Sequence, residues 1–269
     1  MITLTLKEQP GVPIEAEALS PDVVAELGHD EICALPIFLG KRQLRLDEFF
    51  EVEGEASEEL EIRGDAGRIK WLGRGMTRGH LNIDGNAGMH LGAFMKGGTI
   101  EVSGNVSDWI GAEMSGGYIH IGGNAGGQIG AAYRGSLTGM TDGTIVVEGS
   151  AGLEVGMRMK RGTIVVKGMA KDFTGLEMKG GTIILGGAEL RTGAWMNRGT
   201  IISLAPIPLL PTFAYNCSYN PIFLRIYARE LAALGVSVPF EESEGTYELY
   251  SGDAAVSRKG ELLIWKPAG

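Results

Sequence analysis

The chain has 269 residues, with 24 lysines and arginines against 33 aspartates and glutamates, and a formal net charge of -9 at pH 7. That acidity argues against duplex nucleic acid as a partner, no apolar stretch is long enough to span a membrane, and the start lacks a charged-then-apolar export signal. A cytoplasmic protein is expected, its two cysteines, Cys33 and Cys217, being distant reduced thiols without ligand spacing.

Residues 1–58 read as an N-terminal cap. They open with the alternating strand pattern Ile2-Thr3-Leu4-Thr5-Leu6, pass through Ser20-Pro21-Asp22, a helix start with proline at the first helical position, and end in the partly alternating stretch Leu44 to Val52. Residues 59–204 form one repeated object. A glycine-punctuated block recurs there every nineteen residues, as in HLNIDGNAGMHLGAFMKGG from His80 and TIEVSGNVSDWIGAEMSGG from Thr99. Each block carries two period-two patterns, such as Thr99 to Ser103 and Trp109 to Met114, which read as short strands with one buried face. The fold expected is all-β: a right-handed single-stranded β-helix, a solenoid of about seven 19-residue coils with small α-containing terminal caps.

Columns of like residues support the period. Steps of nineteen from Met76 reach Met95, Met114 and Tyr133, and after a longer block Met159, Met178 and, one residue short, Met196. They read as an inward ladder of adaptable apolar side chains, with Ile100, Ile119, Ile145, Ile164 and Ile183 as a second ladder. The longer block contains YRGSLTGMTDG from Tyr133 to Gly143, which shifts later landmarks by seven residues and predicts a protruding loop. Beyond Leu204, Pro206, Pro208 and Pro211 lead into a C-terminal cap over residues 205–269, with an amphipathic helix expected over 221–234 and a final strand over Glu261 to Trp265.

Catalytic signals are nearly absent. His29, His80, His90 and His120 share no metal spacing, and neither a nucleophile elbow nor a phosphate loop occurs. The glycine runs Gly73-Arg74-Gly75 and Gly122 to Gly126 belong to the repeat, and no crossover helix follows them. His90 shares an outward column with Trp71 and Trp109, which favours stacking over ligation. Asp108, Asp172, Glu113, Glu154 and Glu177 could line a groove, but their columns are not consistently paired. The assignment is therefore no catalytic residue and no metal ligand. A basic edge remains: Lys96, Arg134, Lys160 and Lys179 each follow the methionine column, with Arg78, Arg161 and Arg198 one step on. Stacked like charges repel, so this edge is the candidate contact for an anion.

The G-x-x-G-x-x-x-G blocks with their M-x-x-G closure resemble the glutamate-synthase C-terminal type of β-helix. With EALSPD at 17–22, ALPIFLG at 34–40, GAAYRGSLTGMTDGTIVVEG at 130–149 and PLLPTFAYNCSYNPIFLRIY at 208–227, almost the whole chain is similar to the family of C (gamma) subunits of formylmethanofuran dehydrogenases. The proline-rich exit and the helix after it incline the resemblance to the bacterial formyltransferase/hydrolase complex.

That resemblance implies a non-catalytic scaffold beside an amidohydrolase-like A subunit, a B subunit related to metal-pterin oxidoreductases and a formyltransferase D subunit. The complex takes formyl groups from formyl-tetrahydromethanopterin via a methanofuran-type carrier to formate, in formaldehyde oxidation. No cofactor would be bound by this chain, any metal or molybdopterin belonging to other subunits. The carrier's polyglutamate tail would follow Lys96, Arg134, Lys160 and Lys179. Association is expected through Phe49, Phe50, Phe213, Tyr215 and the 221–234 helix. Two alternatives are the C (gamma) subunit of a molybdenum or tungsten formylmethanofuran dehydrogenase and a stand-alone β-helix carbohydrate-active enzyme.

Overall fold

The computed structural model describes residues 1–233, 235, 237–238 and 244–268. The amino-terminal segment forms β1 (Ile2–Leu6), β2 (Ile14–Glu15), α1 (Pro21–Val24), α2 (His29–Cys33), β3 (Pro36–Leu39), β4 (Arg42–Arg45), α3 (Leu46–Phe49) and β5 (Phe50–Gly54). The repeats supply β6 (Glu59–Arg63), β7 (Ile69–Lys70), β8 (His80–Asp84), β9 (Thr99–Val102), β10 (Ser115–Ile121), β11 (Asp142–Val147), β12 (Thr163–Ala170), β13 (Lys179–Ala188) and β14 (Arg198–Ser203). The remainder gives β15 (Ala214–Tyr219), α4 (Leu224–Ala232), β16 (Gly245–Gly252) and β17 (Lys259–Pro267). Position 234 of the helix expected over 221–234 lies outside the described residues.

Thirteen strands join in one sheet in the order β15-β16-β17-β14-β13-β12-β11-β10-β9-β8-β6-β1-β5, and β4-β3-β2-β7 form a second. The main sheet is parallel from β1 to β17, with antiparallel strands added at both edges. Its register follows the sequence period: Ile100 pairs with Leu81 and Ile119, and Ile164 with Ile145 and Ile183. These side chains are fully buried, each contributing roughly 1.5–3 kcal/mol by leaving water.

The structure corrects the expected fold class. A mostly β chain is present, but the single-stranded β-helix solenoid of seven coils is not; the strands form a 13-stranded, mostly parallel sheet with few helices. The second pattern of each block is the physical reason. Trp109 to Met114 alternates like a strand, yet Trp109, Gly111 and Glu113 have φ of 67°, 57° and 54°. His90, Gly92 and Phe94 repeat this at 66°, 62° and 60°. Alternating left-handed residues imitate the period of two while making tight turns in place of an extended ladder.

Glycine is needed at the middle position of each such turn. A Cβ on Gly73, Gly92, Gly111, Gly130, Gly156 or Gly175 would stand 2.5 to 2.8 Å from an isoleucine Cδ1, that of Ile145 in the case of Gly111. The methionine ladder is buried too, with one revision. Met140, not Tyr133, follows Met114, because the Thr141 N–H bonds Met114 O at 2.8 Å and the Lys160 N–H bonds Met140 O at 2.9 Å.

A second apolar cluster covers the outer face of the carboxy-terminal strands, where Val146, Val165, Ile184, Ile202 and Leu263 meet Leu224 and Leu231 of α4. Phe50 and Phe213, expected at an association surface, are buried in the main core, and Phe49 packs partly against it. Exposure falls instead on Tyr215 (57%), Ile222 (80%) and Ile226 (57%).

Candidate functional site

The turns present two outward positions per repeat, and the first of them carries an aromatic stack. Trp71 and His90 lie face to face with ring centroids 4.0 Å apart, and Trp109 follows at 6.4 Å from His90. Tyr133 opens the seven-residue insertion 133–139 and folds back over this stack, 4.8 Å from Trp109 and 5.5 Å from Phe94. Its hydroxyl and His90 Nδ1 are 2.8 Å apart. Burial, helped by the positive charge of Lys70, lowers the His90 pKa to about 4. Burial, with Glu113 nearby, raises that of the Tyr133 phenol. Both groups are thus neutral at pH 7, and phenol and imidazole share a hydrogen bond whose direction is set by the His90 tautomer. His90 acts as a stacking residue and hydrogen-bond partner of Tyr133.

The insertion is clamped along its length. Glu113 Oε1 accepts the Tyr133 N–H at 3.0 Å, and Arg158 Nη1 donates to Ser136 O at 2.7 Å while its Nε holds Glu177 at 2.8 Å. Lys179 Nζ donates to Leu137 O, and the Gly139 N–H bonds Arg158 O at 3.0 Å. Leu137, 72% exposed, is left at the apex. Sequence reasoning misses Arg158, although Glu177 stands one repeat period after it and so signals a pair between the turns of neighbouring repeats.

The four predicted site residues separate into two groups. Backbone bonds place Thr77, Lys96, Ser115, Thr141, Lys160, Lys179 and Asn197 along one line, each N–H meeting the methionine carbonyl one repeat earlier where that repeat exists. Lys160 and Lys179 are therefore neighbours, whereas Ser115 and Thr141 separate them from Lys96. Arg134 leaves the line altogether, because the true methionine rung is Met140. Lys96, Arg134 and Lys160 are exposed, and the Lys179 ammonium is spent on the Leu137 carbonyl.

The carboxylates considered for a catalytic groove all hold structural donors. Asp108 accepts the Gly127 N–H at 2.6 Å, Glu154 accepts from Gln128 at 2.8 Å, and Asp172 pairs with Arg191. Glu113 and Glu177 hold the insertion and its clamp. Among the described residues no group of three or more His, Cys, Asp or Glu could hold a metal ion, and no helix is long and apolar enough to cross a membrane. What the surface offers is contact: an aromatic face, a braced loop and a basic edge.

Comparison with known proteins gives these features a setting. Residues 65–206 match the family model described as GXGXG motif. The C subunit of the tungsten-containing formylmethanofuran dehydrogenase 2 of Methanothermobacter marburgensis is 43% identical over 97 residues, covering 34% of this chain and 36% of that protein. The C subunit of the molybdenum-containing formylmethanofuran dehydrogenase 1 of Methanosarcina barkeri is 39% identical over 95 residues, 34% of this chain and 32% of the relative. The alignments thus span about a third of the length of these curated relatives. A solved chain from the formyltransferase/hydrolase complex (FhcABCD) of Methylorubrum extorquens, in complex with methylofuran, superposes with a TM-score of 0.90 at 33% identity, covering 99% of this chain and 100% of that one.

Proposed function

Because the chain belongs to the GXGXG motif family, we propose that it is the C (gamma) scaffold subunit of a formyltransferase/hydrolase complex. The observation that carries the reading is the full-length likeness to a chain of such a complex, at a TM-score of 0.90 and 33% identity. The complex would take formyl groups from formyl-tetrahydromethanopterin via a methanofuran-type carrier to formate, with A, B and D subunits holding the reaction centres. This chain would bind no metal or pterin, and its work would be to hold partners in register. The structural donors held by Asp108, Glu113, Glu154, Asp172 and Glu177 support that reading against a stand-alone carbohydrate-active enzyme.

In this proposal Lys96, Arg134, Lys160 and Lys179 contact the carrier's anionic tail. Their simultaneous replacement by glutamine should raise KM for a long-tailed carrier in the assembled complex, and an unchanged KM sinks that assignment. The scaffold role is tested by purifying the tagged chain from its native host and measuring the mass and activity of what accompanies it. Companion subunits and formate release from formyl carrier are expected, with no turnover by the isolated chain. An active homo-oligomer without companions would refute the scaffold. A second reading, the C (gamma) subunit of a molybdenum or tungsten dehydrogenase, is favoured by the 43% identity to the tungsten enzyme's chain. Stoichiometric tungsten or molybdenum in the purified complex would select it.

A further inference from the structure

One corner of the repeats changes character along the chain. Asn86 and Asn105 each use Oδ1 to hold the backbone N–H of the asparagine one repeat on, at 2.8 Å for both Asn105 and Asn124, and Asn124 holds the Ser150 N–H at 2.9 Å. Beyond Ser150 the same corner turns apolar. Leu153, Met169 and Leu190 are 46%, 49% and 53% exposed. Backbone bonds gather them: the Ala151 N–H meets Met169 O at 2.9 Å, and Leu153, Asp172 and Leu190 form one column, the Glu154 N–H meeting Asp172 O and the Phe173 N–H meeting Leu190 O. Large apolar side chains exposed together on one face mark a contact surface.

A depression of about 550 Å³ opens beside them, bounded in part by Asp108, Gly126, Gly127, Gly152, Leu153 and Lys171. Acceptors in it are already engaged: Asp108 Oδ1 takes the Gly127 N–H at 2.6 Å, and the Gly126, Gly127 and Leu153 carbonyls take the N–H groups of Gly152, Trp109 and Gln128. Two donors are not. The Lys171 ammonium makes no ion pair among the described residues, since Asp172 holds Arg191 and the exposed Glu189, one repeat on, does not reach it. The Leu153 N–H has no acceptor among the described residues. Its counterparts do: Asp108 holds the Gly127 N–H and Asp172 the Leu190 N–H at 3.0 Å, each carboxylate standing one repeat before the group it holds. One repeat before Leu153 stands Gly127, and a Cβ there would lie 2.9 Å from Leu153 O. This chain therefore has no side chain for the position, and a backbone N–H beside a cation is left to bond outward.

We propose that this corner is a docking surface for a different protein chain, which places one Asp or Glu side chain in the depression, on the Lys171 ammonium and the Leu153 N–H, and lays apolar side chains on Leu153, Met169 and Leu190. The incoming carboxylate completes the position that Gly127 leaves empty. Charge complementarity selects the anchor: the unengaged groups are donors, so the partner supplies an acceptor. The apolar rim selects a protein, because three spread side chains around one polar pocket have the layout of an interface anchor with its water-excluding surround. That the partner is a subunit of the proposed complex rests on the proposed function; the surface itself rests on the depression and its rim.

The test compares the natively purified assembly with the isolated full chain. Acetylation by an N-hydroxysuccinimide ester, read by peptide mass spectrometry, should be several-fold slower at Lys171 in the assembly. A zero-length carbodiimide should join Lys171 to an Asp or Glu of a companion chain. Lys171→Glu should weaken rebinding of the chain to its companions by about tenfold or more, with the thermal midpoint of the isolated chain unchanged, while Lys171→Arg rebinds normally. Equal labelling of Lys171 in both states, a Lys171→Glu variant that rebinds like the unmodified chain, or a cross-link from Lys171 to a second copy of this chain overturns the proposal. Companions without formyl chemistry that still protect and cross-link Lys171 leave the surface standing and refute the proposed function. Formyl-transferring companions with Lys171 labelled as in the isolated chain refute the surface alone.

Discussion

Replacing the turn glycines separates two causes of their presence. Gly111 has φ of 57°, and an added Cβ would lie 2.6 Å from Ile145 Cδ1 and 3.2 Å from Met114 Sδ. Gly75 has a similar φ of 68°, but nothing lies within 4 Å of the same addition. Alanine in the left-handed region costs roughly 1–2 kcal/mol, and forcing a methyl into a packed core adds about 1–3 kcal/mol. Gly75→Ala should therefore lose only the backbone part, and Gly111→Ala about 2–5 kcal/mol. Urea denaturation followed by circular dichroism reads both. The gap between the two variants, about 1–3 kcal/mol, is the quantity of interest. Equal losses would show that the isoleucine ladder yields freely and that packing does not select glycine at this column.

Four further outcomes are expected. His90 titrates near 4 in the folded chain against 6.5 ordinarily, so the unfolded chain takes up its proton first. Its contribution is complete above pH 6.5 and is lost progressively down to about pH 4; after discounting for partial exposure it amounts to about 1–2 kcal/mol. Thermal melts of His90→Phe should decline less steeply over that window than those of the unmodified chain. Tyr133→Phe removes the hydrogen bond to His90 and should cost about 1 kcal/mol, with altered near-ultraviolet dichroism from Trp71 and Trp109. Arg158→Gln frees Ser136 O and Glu177, so amide exchange should accelerate between residues 133 and 139 while β11 and β12 stay protected. Phe213→Ala empties the core position against Gly193 and Gly252 and should lower stability by about 3–5 kcal/mol in a denaturant titration.

Much of the architecture is written in the spacing. The isoleucine ladder and the His90 column are legible because neighbours across repeats are neighbours one period away in sequence, and the strand at Ile2–Leu6 through its own local alternation. Backbone handedness is not legible in the same way: a period of two in side-chain direction arises from an extended strand or from alternating left-handed turns, and Trp109 to Met114 uses the second. Steps of nineteen misplace Tyr133 because they continue smoothly into the insertion, although the seven-residue shift already points to Met140. The clamp by Arg158 and the meeting of Arg198 with Lys259 depend on contacts across the insertion and across a long excursion of the chain. Local patterns carry no record of such contacts.

The insertion leaves and rejoins the repeat almost at one point. The Ala132 N–H bonds Met157 O at 3.1 Å and the Gly139 N–H bonds Arg158 O at 3.0 Å, so both ends are anchored to adjacent residues of the next repeat. Everything between them is external to the methionine and isoleucine ladders, which resume at Met140 and Ile145 without a break. The frame is thus a socket closed beneath the loop: the register on either side of the segment is set by bonds that do not pass through it. What is met at that face is set by the segment, while the ladders beneath it close on their own.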